Sequence, residues 1–264
     1  MDQITIATIN LRNRADRWRE RRHLLVNQIF DAEPDLVSLQ EVYFPIRQGQ
    51  WLRNQINVRL KQTGKRPYQL ILCRKKHLIE GYYEGIGVLT KLPVRYHDSL
   101  NLGYGGRVAL RVNVELPSSQ TLDFVAVHLH HNLHDTEIRH EQVMRMTGWL
   151  HEPGHAPHQV VAGDFNEVPS GRAIYRMKQS YKSAYELVHD SEPLATFPTA
   201  LTLIPDGSGG METDLEANCL DYIFVSSAIR VNAATLFCAK PSLENPFLYP
   251  SDHVGLLVTI QWAF

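Results

Sequence analysis

Short stretches in which apolar and polar residues alternate predict several of the strands in this chain. Residues 4–9 alternate and predict a strand with one face in a core. Residues 108–116 and 122–129 do the same, and the Pro-Ser-Ser-Gln stretch between them predicts a hairpin of antiparallel strands. Further apolar runs predict strands at residues 35–41, 69–73, 86–90, 159–163, 220–225, 231–237 and 254–260.

Apolar residues at helical spacing predict four helices, at residues 16–30, 49–62, 136–150 and from about residue 170. Asp16 is the predicted N-cap of the first helix, and Pro34 follows its end. Residues 201–218 are rich in Gly, Asp and Thr and predict a long exposed loop. Because strands outnumber helices and hairpins mix with crossovers, we predict an α/β sandwich of two packed mixed sheets flanked by helices.

Composition is that of a well-packed globular protein, with 44% hydrophobic and 21% charged residues among 264. No composition break, repeat or low-complexity linker divides the chain, so we predict a single domain over residues 1–264. The net charge of −1 provides no global field for a polyanion, although a local basic patch could still bind one.

The three cysteines and the amino terminus bear on the cellular compartment. The chain has an odd number of cysteines, and no two of them have metal-ligand spacing. We therefore predict that Cys73, Cys219 and Cys238 are reduced core residues of an intracellular protein. A strand pattern begins almost at Met1, without a signal-peptide pattern, and no apolar run reaches about 18 residues. We therefore expect a cytoplasmic protein without a membrane span, and no protein partner is evident.

Polar side chains able to bind a metal or a phosphate stand at the ends of several predicted strands. Each has an ordinary explanation by itself, since Asp and Asn favour turns and a His within an apolar strand is usually a core residue. Their recurrence is what indicates a common site at one rim of the sheets. Hard carboxylate and amide oxygens favour Mg²⁺ or Mn²⁺ over zinc. The residues are Asn10, Gln40, Glu41, His128, Asp164, Asn166, Asp221, Asp252 and His253.

Six short motifs resemble, in content and order, those of the endonuclease/exonuclease/phosphatase superfamily, which has the DNase I-like fold. The resemblance extends from Ile4 to Ile260 and implies a four-layer α/β sandwich and Mg²⁺-dependent hydrolysis of phosphate esters. The motifs are Asn10-Leu11-Arg12, Leu39-Gln40-Glu41-Val42, His128-Leu129-His130-His131, Gly163-Asp164-Phe165-Asn166, Leu220-Asp221-Tyr222-Ile223-Phe224 and Ser251-Asp252-His253.

The resemblance implies a role for each matching residue. Glu41 would be the main Mg²⁺ ligand, with Asn10 and Asp252 nearby in the metal shell. Asp164 would orient and deprotonate the attacking water. The remaining residues would hold the phosphate: Asn166 and His128 as donors, and His253 as an imidazole oriented by Asp221.

Arg107 matches a phosphate-facing basic position of the family, and Tyr83 an aromatic one, through motifs whose flanking residues vary. One departure concerns His130, because many relatives have an acid between the two histidines of this motif. The departure leaves the role of His128 intact and the roles of His130 and His131 open.

Two other functions compete with this interpretation. The run from His128 to His134 resembles the ligand set of a dinuclear zinc hydrolase, but Asn132 stands where an Asp ligand is expected. A binding module on the same scaffold should have lost metal or base residues, and none of them is missing here. Both alternatives are less consistent with the motifs than a metal-dependent hydrolase.

The sequence leaves the substrate open among a nucleic acid, a phospholipid head group and a small phosphate ester. We favour a phosphodiesterase of the nuclease type over a sphingomyelinase-like enzyme or a small-molecule phosphatase. The arginines of residues 12–22 are expected to be solvated for the most part, with Arg21 and, beside it, Trp18 as exceptions that match the family. No aromatic-rich stacking groove is evident along the chain.

Overall fold

A computed structural model of the chain describes residues 3–132, 134–205 and 211–262. The six α-helices in this part are α1 (Trp18–Ala32), α2 (Gln48–Gln62), α3 (Glu80–Tyr83), α4 (Thr136–Leu150), α5 (Arg172–Lys178) and α6 (Glu186–His189). The strands are β1 (Gln3–Asn10), β2 (Leu36–Tyr43), β3 (Gln69–Arg74), β4 (Glu84–Thr90), β5 (Val94–Asn101), β6 (Val108–Glu115), β7 (Thr121–His128), β8 (His158–Asp164), β9 (Lys182–Ser183), β10 (Ile204–Pro205), β11 (Met211–Glu212), β12 (Asp221–Val225), β13 (Ile229–Phe237) and β14 (Gly255–Trp262).

The strands form two six-stranded sheets and one small hairpin. The first sheet has the order β13-β14-β1-β2-β4-β3, and the second has the order β5-β6-β7-β8-β12-β9. Only β1–β2 and β7–β8 pair in parallel among the described strands, at the centre of their respective sheets. The other pairs are antiparallel, including the predicted β6–β7 hairpin. Both sheets are therefore mixed, as the sequence predicts.

Three hydrophobic clusters divide the molecule into four layers. The largest lies between the sheets and contains Phe124, Ile6, Val258 and Ile223. A second cluster packs α1 and α2 on the outer face of the first sheet, and a third packs α4 and α5 on the outer face of the second. The arrangement of helices, sheet, sheet and helices confirms the predicted α/β sandwich.

The structure corrects five details of the sequence interpretation. Asp16 does not cap α1, because the residue before the helix, Arg17, has left-handed backbone angles and Asp16 pairs with Arg12 at 2.7 Å. β2 extends two residues past Glu41, to Tyr43. β5 was not predicted, since it is a mostly exposed edge strand without apolar alternation.

The fourth correction concerns the predicted loop at residues 201–218. β10 and β11 pair within it, while residues 206–210 of the prediction lie outside the described residues. Cys219 and Cys238 are buried as predicted, but Cys73 is only partly buried, and all three are free. No helix in the described ranges is long and apolar enough to cross a membrane.

Candidate active site

The central parallel strands bring the polar strand ends to one rim. Asn10 ends β1 and Asp164 ends β8, and the two sheets approach closely enough there for their side chains to bond at 3.0 Å. β12 runs antiparallel to β8 with Asp221 in register with Asp164, so its amino end lies at the same rim. β14 is antiparallel to β1, which brings the preceding Asp252 and His253 there as well. The predicted gathering of these residues is therefore observed.

A bulge in β2 directs Glu41 into the cleft formed at this rim. The register between β2 and β4 shifts between Leu39 and Val42, and Glu41 has a φ of 51°. A non-glycine residue in this region costs on the order of 1 kcal/mol and often marks a functional position. The carboxylate accepts hydrogen bonds from the amides of Asn10 (3.3 Å) and Asn13 (3.0 Å).

The neighbouring Gln40 is buried and has a structural role. Its Nε2 donates to Ser38 Oγ at 2.7 Å, and Ser38 donates across to the Ala162 carbonyl of the other sheet at 2.8 Å. Its Oε1 accepts from Thr8 at 3.3 Å. This buried chain of hydrogen bonds ties β1, β2 and β8 together beneath the bulge, where an unpaired polar group would be costly.

Asp164 lies at the centre of the site and is buried. Its Oδ2 accepts from Asn10 Nδ2, while its Oδ1 accepts from the backbone N–H of Asn166 at 2.8 Å. Burial raises the pKa of Asp164 to about 6, although cationic His253 opposes this rise. The Asn166 amide donates to the Leu129 carbonyl at 3.2 Å, so one of its two N–H groups is already engaged.

His253 is held by Asp221 beneath the cleft. Its Nδ1 lies 2.8 Å from Asp221 Oδ2, and its Nε2 lies 3.8 Å from Asp164 Oδ2. Burial lowers the pKa of His253, but the carboxylates of Asp221, Asp164 and Asp252 outweigh it and raise the pKa to about 10. The imidazole is therefore cationic at neutral pH and can donate through Nε2 to an anion.

His128 is buried nearby, with Nε2 at 3.6 Å from Asp164 Oδ2 and without a hydrogen-bond partner at Nδ1. Burial, and then Arg107, lowers its pKa well below the ordinary value. His128 is therefore neutral, unlike His253. His128 and His253 both lie near Asp164 but differ in charge, because only His253 also bonds a second carboxylate, that of Asp221.

Arg107 is the cation in the cleft that has no carboxylate within ion-pair distance among the described residues. Its side chain is buried, its Nη2 lies 3.2 Å from His131 Nδ1, and its Nη1 has no hydrogen-bond partner. Such a group is costly unless an anion accepts from it. His131 thus accepts from this guanidinium and orients it. The sequence left the role of His131 open, and this contact assigns it a positioning role.

The cleft has a volume of 390 Å³ and contains residues that the sequence analysis did not assign. Lys75 and Glu84 line it and pair at 2.6 Å, and Asn13 and Arg12 line it from the loop after β1. Arg12 is the last residue of the first motif and Asn13 follows it, but the sequence assigns neither a role, and Lys75 and Glu84 stand outside the six motifs. Phe197 and Leu215 form an apolar part of the wall.

Tyr83, Asn10 and Asp221 were predicted at the site but are not part of the cleft wall. Asn10 and Asp221 support the residues that line it. Tyr83 instead stacks on Tyr43, with ring centroids 6.3 Å apart, and the next residue, Glu84, lines the cleft. The structure therefore does not place Tyr83 among the groups that contact Asp164 or Glu41.

The donor set fits a hard divalent cation. Burial, followed by Glu84 and Asp252, raises the pKa of Glu41 to about 7, which indicates carboxylates crowded without enough compensating charge. Asp252 Oδ2 is buried and accepts no hydrogen bond, although Arg12 lies 3.2 Å away as an ion pair. Two such carboxylates in one cleft are suitable oxygen ligands for Mg²⁺ or Mn²⁺.

A second grouping could in principle hold a metal, because ligand atoms of Asp164, Asp221 and His253 lie within 4.8 Å of one another. These atoms already have hydrogen-bond partners, because His253 Nδ1 bonds Asp221 Oδ2 at 2.8 Å and Asp164 Oδ2 accepts from Asn10 Nδ2 at 3.0 Å. The zinc alternative is also unsupported: His130 bonds Asp135 at 2.8 Å and His131 faces Arg107.

The fold and this site define the class of the protein. Residues 7–253 match the model of the endonuclease/exonuclease/phosphatase family, and the chain belongs to that family of phosphoester hydrolases. The resemblance noted in the sequence is thereby confirmed. No curated protein matches the sequence closely enough to be reported as a relative.

Solved structures of low sequence identity share the fold. The human Nocturnin catalytic domain with a bound sulfate anion is 22% identical, with a TM-score of 0.76 over 99% of this chain and 94% of that one. D. rerio TDP2 complexed with a single-strand DNA product is 17% identical, with a TM-score of 0.74 over 98% and 99%. A family protein from Bacteroides thetaiotaomicron is 16% identical, with a TM-score of 0.77 over 99% and 98%.

Proposed function

We propose that this protein is a Mg²⁺- or Mn²⁺-dependent phosphodiesterase of the nuclease type. One observation carries the proposal: a single cleft of 390 Å³ contains Glu41, whose carboxylate has a raised pKa and no ion-pair partner among the described residues, and a buried cation, Arg107, that has no carboxylate partner either. A metal ion and a phosphate group would satisfy both deficits together. A catalytic cleft of this kind is the default expectation for convergent polar groups with perturbed pKa values.

The metal would be held by Glu41 and Asp252. Asn10 supports this set by donating to Glu41 and Asp164, while its Oδ1 accepts from the Arg12 backbone at 2.8 Å. A divalent ion at these carboxylates would polarise a phosphoryl oxygen and offset the charge that develops on it. Asn13 holds the second oxygen of Glu41 and so limits its rotation.

Asp164 would take the proton from the attacking water. Its pKa of about 6 lies close to neutral pH, which is favourable for a general base. The amide of Asn10 and the backbone of Asn166 each occupy one of its oxygens, so the carboxylate has a defined orientation. In-line displacement then transfers the water oxygen to phosphorus while the leaving oxygen departs.

Four groups would stabilise the charge on the phosphoryl oxygens. His253 would donate through Nε2 as a cation, and Arg107 through its unpartnered Nη1. His128 would donate as a neutral imidazole, and Asn166 through its remaining amide hydrogen. Donors fixed before the reaction are worth most in a site that excludes water, and the burial of these groups meets that condition.

A nucleic acid is the substrate we favour. The single-strand DNA product bound to TDP2 shows that one protein of this fold holds such a strand, and the sulfate on Nocturnin shows an anion on another. Tyr83 remains a candidate contact for the substrate outside the cleft wall, because its side chain is 44% exposed.

A substrate panel tests the proposal. Plasmid DNA, abasic DNA, RNA, sphingomyelin and nitrophenyl phosphate mono- and diesters are incubated with purified protein, with and without Mg²⁺ or Mn²⁺. We expect metal-dependent turnover of a diester that falls at least about a hundredfold in Glu41→Gln and Asp164→Asn. Matched controls are Glu152→Gln and Asp31→Asn at exposed positions.

Wild-type rates in both active-site variants would show that the site assignment is wrong. Turnover of sphingomyelin alone would indicate a phospholipid substrate, and turnover of monoesters alone would indicate a phosphatase. Turnover of no phosphate ester in the presence of either metal would refute the proposed activity.

A further inference from the structure

A second cleft, of 600 Å³, lies beside the active-site cleft at the start of α1. It is basic and aromatic: its wall includes Arg14, Arg17, Arg19 and Arg22 together with Trp18 and Trp51. None of these residues takes part in the proposed reaction. The proposed reaction therefore does not explain the composition of this second cleft.

Positive charge in this second cleft is not compensated by the protein. Glu20 pairs with Arg17 at 2.6 Å, but Arg14, Arg19 and Arg22 have no carboxylate within 4.0 Å in the described part of the chain. Arg22 Nε is buried without a hydrogen-bond partner, and its guanidinium lies 4.7 Å from the Trp51 ring centroid. Three guanidinium groups without a carboxylate partner in one cleft favour a ligand with several negative charges over a ligand with one.

A row of aromatic rings continues from this cleft past the active site. Arg14 lies over Tyr43 at 5.3 Å, Tyr43 stacks on Tyr83 with an interplanar angle of 15°, and Tyr82 meets Tyr83 edge-on at 5.0 Å. Tyr82 and Tyr83 are 64% and 44% exposed. No aromatic-rich groove is evident along the sequence, because the residues that form this row are far apart in the chain.

The loop between β1 and α1 separates the two clefts, because Arg12 and Asn13 line the active-site cleft and Arg14 and Arg17 line the second cleft. The Asn13 side chain lines the active-site cleft and bonds Glu41, whereas its backbone carbonyl accepts from Gln48, which lines the second cleft. The Arg21 guanidinium holds this loop by donating to backbone carbonyls that include those of Leu11 and Pro250. A ligand crossing from one cleft to the other therefore passes over a fixed edge.

We propose that the second cleft and the Tyr43–Tyr83–Tyr82 row bind a single-stranded nucleic acid that continues from the phosphate in the active-site cleft. The inference rests on the proposed function and adds a strand-binding surface to it. Arginines would contact successive backbone phosphates, and exposed rings would stack on unpaired bases, which a duplex keeps inside its helix. The near-neutral total charge is no objection, because the basic groups are local.

Binding is measured without turnover, as fluorescence anisotropy of a labelled twelve-nucleotide oligo(dT) in EDTA over a range of NaCl concentrations. In the triple variant Arg14→Gln, Arg19→Gln, Arg22→Gln, we expect Kd at 0.1 M salt to rise about a hundredfold and the salt slope to become less negative by about 2. The matched control neutralises three exposed arginines elsewhere, as Arg66→Gln, Arg145→Gln, Arg230→Gln, and should change Kd less than about threefold.

The aromatic row has its own test. Tyr82→Leu, at the most exposed ring of the row (64%), should weaken oligonucleotide binding about tenfold without changing the salt slope, since stacking is not ionic. Tyr175→Leu, at a tyrosine that is 69% exposed on α5, is the matched control and should bind like the wild type. Thermal unfolding of every variant verifies that the fold is retained.

Three results would overturn the inference: no oligonucleotide binding by the wild type, equal weakening in both triple variants, or binding to phosphatidylglycerol vesicles in place of the oligonucleotide. These outcomes are distinct from failure of the proposed activity. A protein that hydrolyses diesters but does not bind the oligonucleotide loses only this inference. A protein that binds it through these arginines but turns over no phosphate ester loses only the activity.

Discussion

Glu41→Gln should make the metal-free protein more stable while it removes metal binding. The carboxylate of Glu41 is crowded by Glu84 and Asp252 and lies in a bulge of β2. Glutamine has the same shape and, like the protonated carboxyl group, keeps one carbonyl oxygen that can accept from Asn10 or from Asn13. At neutral pH the change therefore removes a negative charge and one of these two hydrogen bonds. The variant thus separates the cost of assembling the site from the packing around it.

The magnitude follows from the raised pKa of Glu41. The step from the ordinary 4.5 to about 7 is about 2.5 pKa units, or about 3 kcal/mol at 1.36 kcal/mol per unit. Because neighbouring carboxylates share this repulsion, we expect a net gain of about 1 to 3 kcal/mol for the variant. In a protein of this size, that gain raises Tm by about 2 to 12 °C.

The sign of the pH dependence is part of the prediction. Between pH 4.5 and 7 the folded state holds the Glu41 proton more tightly than the unfolded state does, so its contribution weakens stability as pH rises. The advantage of Glu41→Gln should therefore be near zero below pH 4.5 and complete above pH 7. Chemical denaturation in EDTA at pH 4.5 and pH 8 measures both limits.

Metal addition supplies the second half of this experiment. Mg²⁺ at about a hundred times its Kd should stabilise the wild type by about 2.7 kcal/mol and leave Glu41→Gln almost unchanged. Exposed Glu152→Gln is the control and should follow the wild type in every condition. The reasoning is refuted if Glu41→Gln is less stable than the wild type at pH 8 in EDTA, or if its gain is equal at both pH values.

Three further predictions concern residues around the site. Asp221→Asn should lower the pKa of His253 from about 10 towards its ordinary value, and so reduce kcat by at least about a hundredfold above neutral pH. A pH–rate profile measures this effect. An unchanged profile would contradict the proposed Asp221–His253 pair. Arg21→Met should destabilise the protein by about 3 to 5 kcal/mol in chemical denaturation, because several buried carbonyls lose their donor, and a loss under about 1 kcal/mol would show that the loop does not depend on it. Gly163→Ala should lower both Tm and activity, because the added Cβ would lie 1.9 Å from the Val127 carbonyl oxygen. This contact would push β8, which ends in Asp164, away from its parallel neighbour β7. Unchanged Tm and activity would contradict the observed strand spacing.

Four residues of the cleft wall, Arg12, Asn13, Glu41 and Asn166, have positive φ. Gln40, directly before Glu41, is fixed by its hydrogen bond to Ser38. The backbone N–H of Asn166 is fixed by donating to Asp164 Oδ1. The loop after β1 contains Arg12 and Asn13, and Arg21 holds it. Precise placement of polar groups at the rim thus requires buried side chains that have no part in the reaction.

Periodicity in the sequence was sufficient for the long, half-buried elements. The predicted helix at residues 136–150 coincides with α4, because its apolar spacing is the same stripe that packs on the second sheet. The order of six strand-end motifs was likewise enough to indicate the family and the group of residues at the rim. Such signals are local or ordered along the chain, so no tertiary contact is needed to detect them.

Tertiary structure alone decided how those residues are used. Glu41 enters the cleft only because β2 bulges against β4, and Arg107 is uncompensated only because of what surrounds it in the fold. Tyr43, at the end of β2, contacts Tyr83, at the end of α3, so no pattern along the chain reveals the stacked row. Charge balance, strain and stacking depend on distances between segments remote in sequence, and the register of the sheets sets those distances.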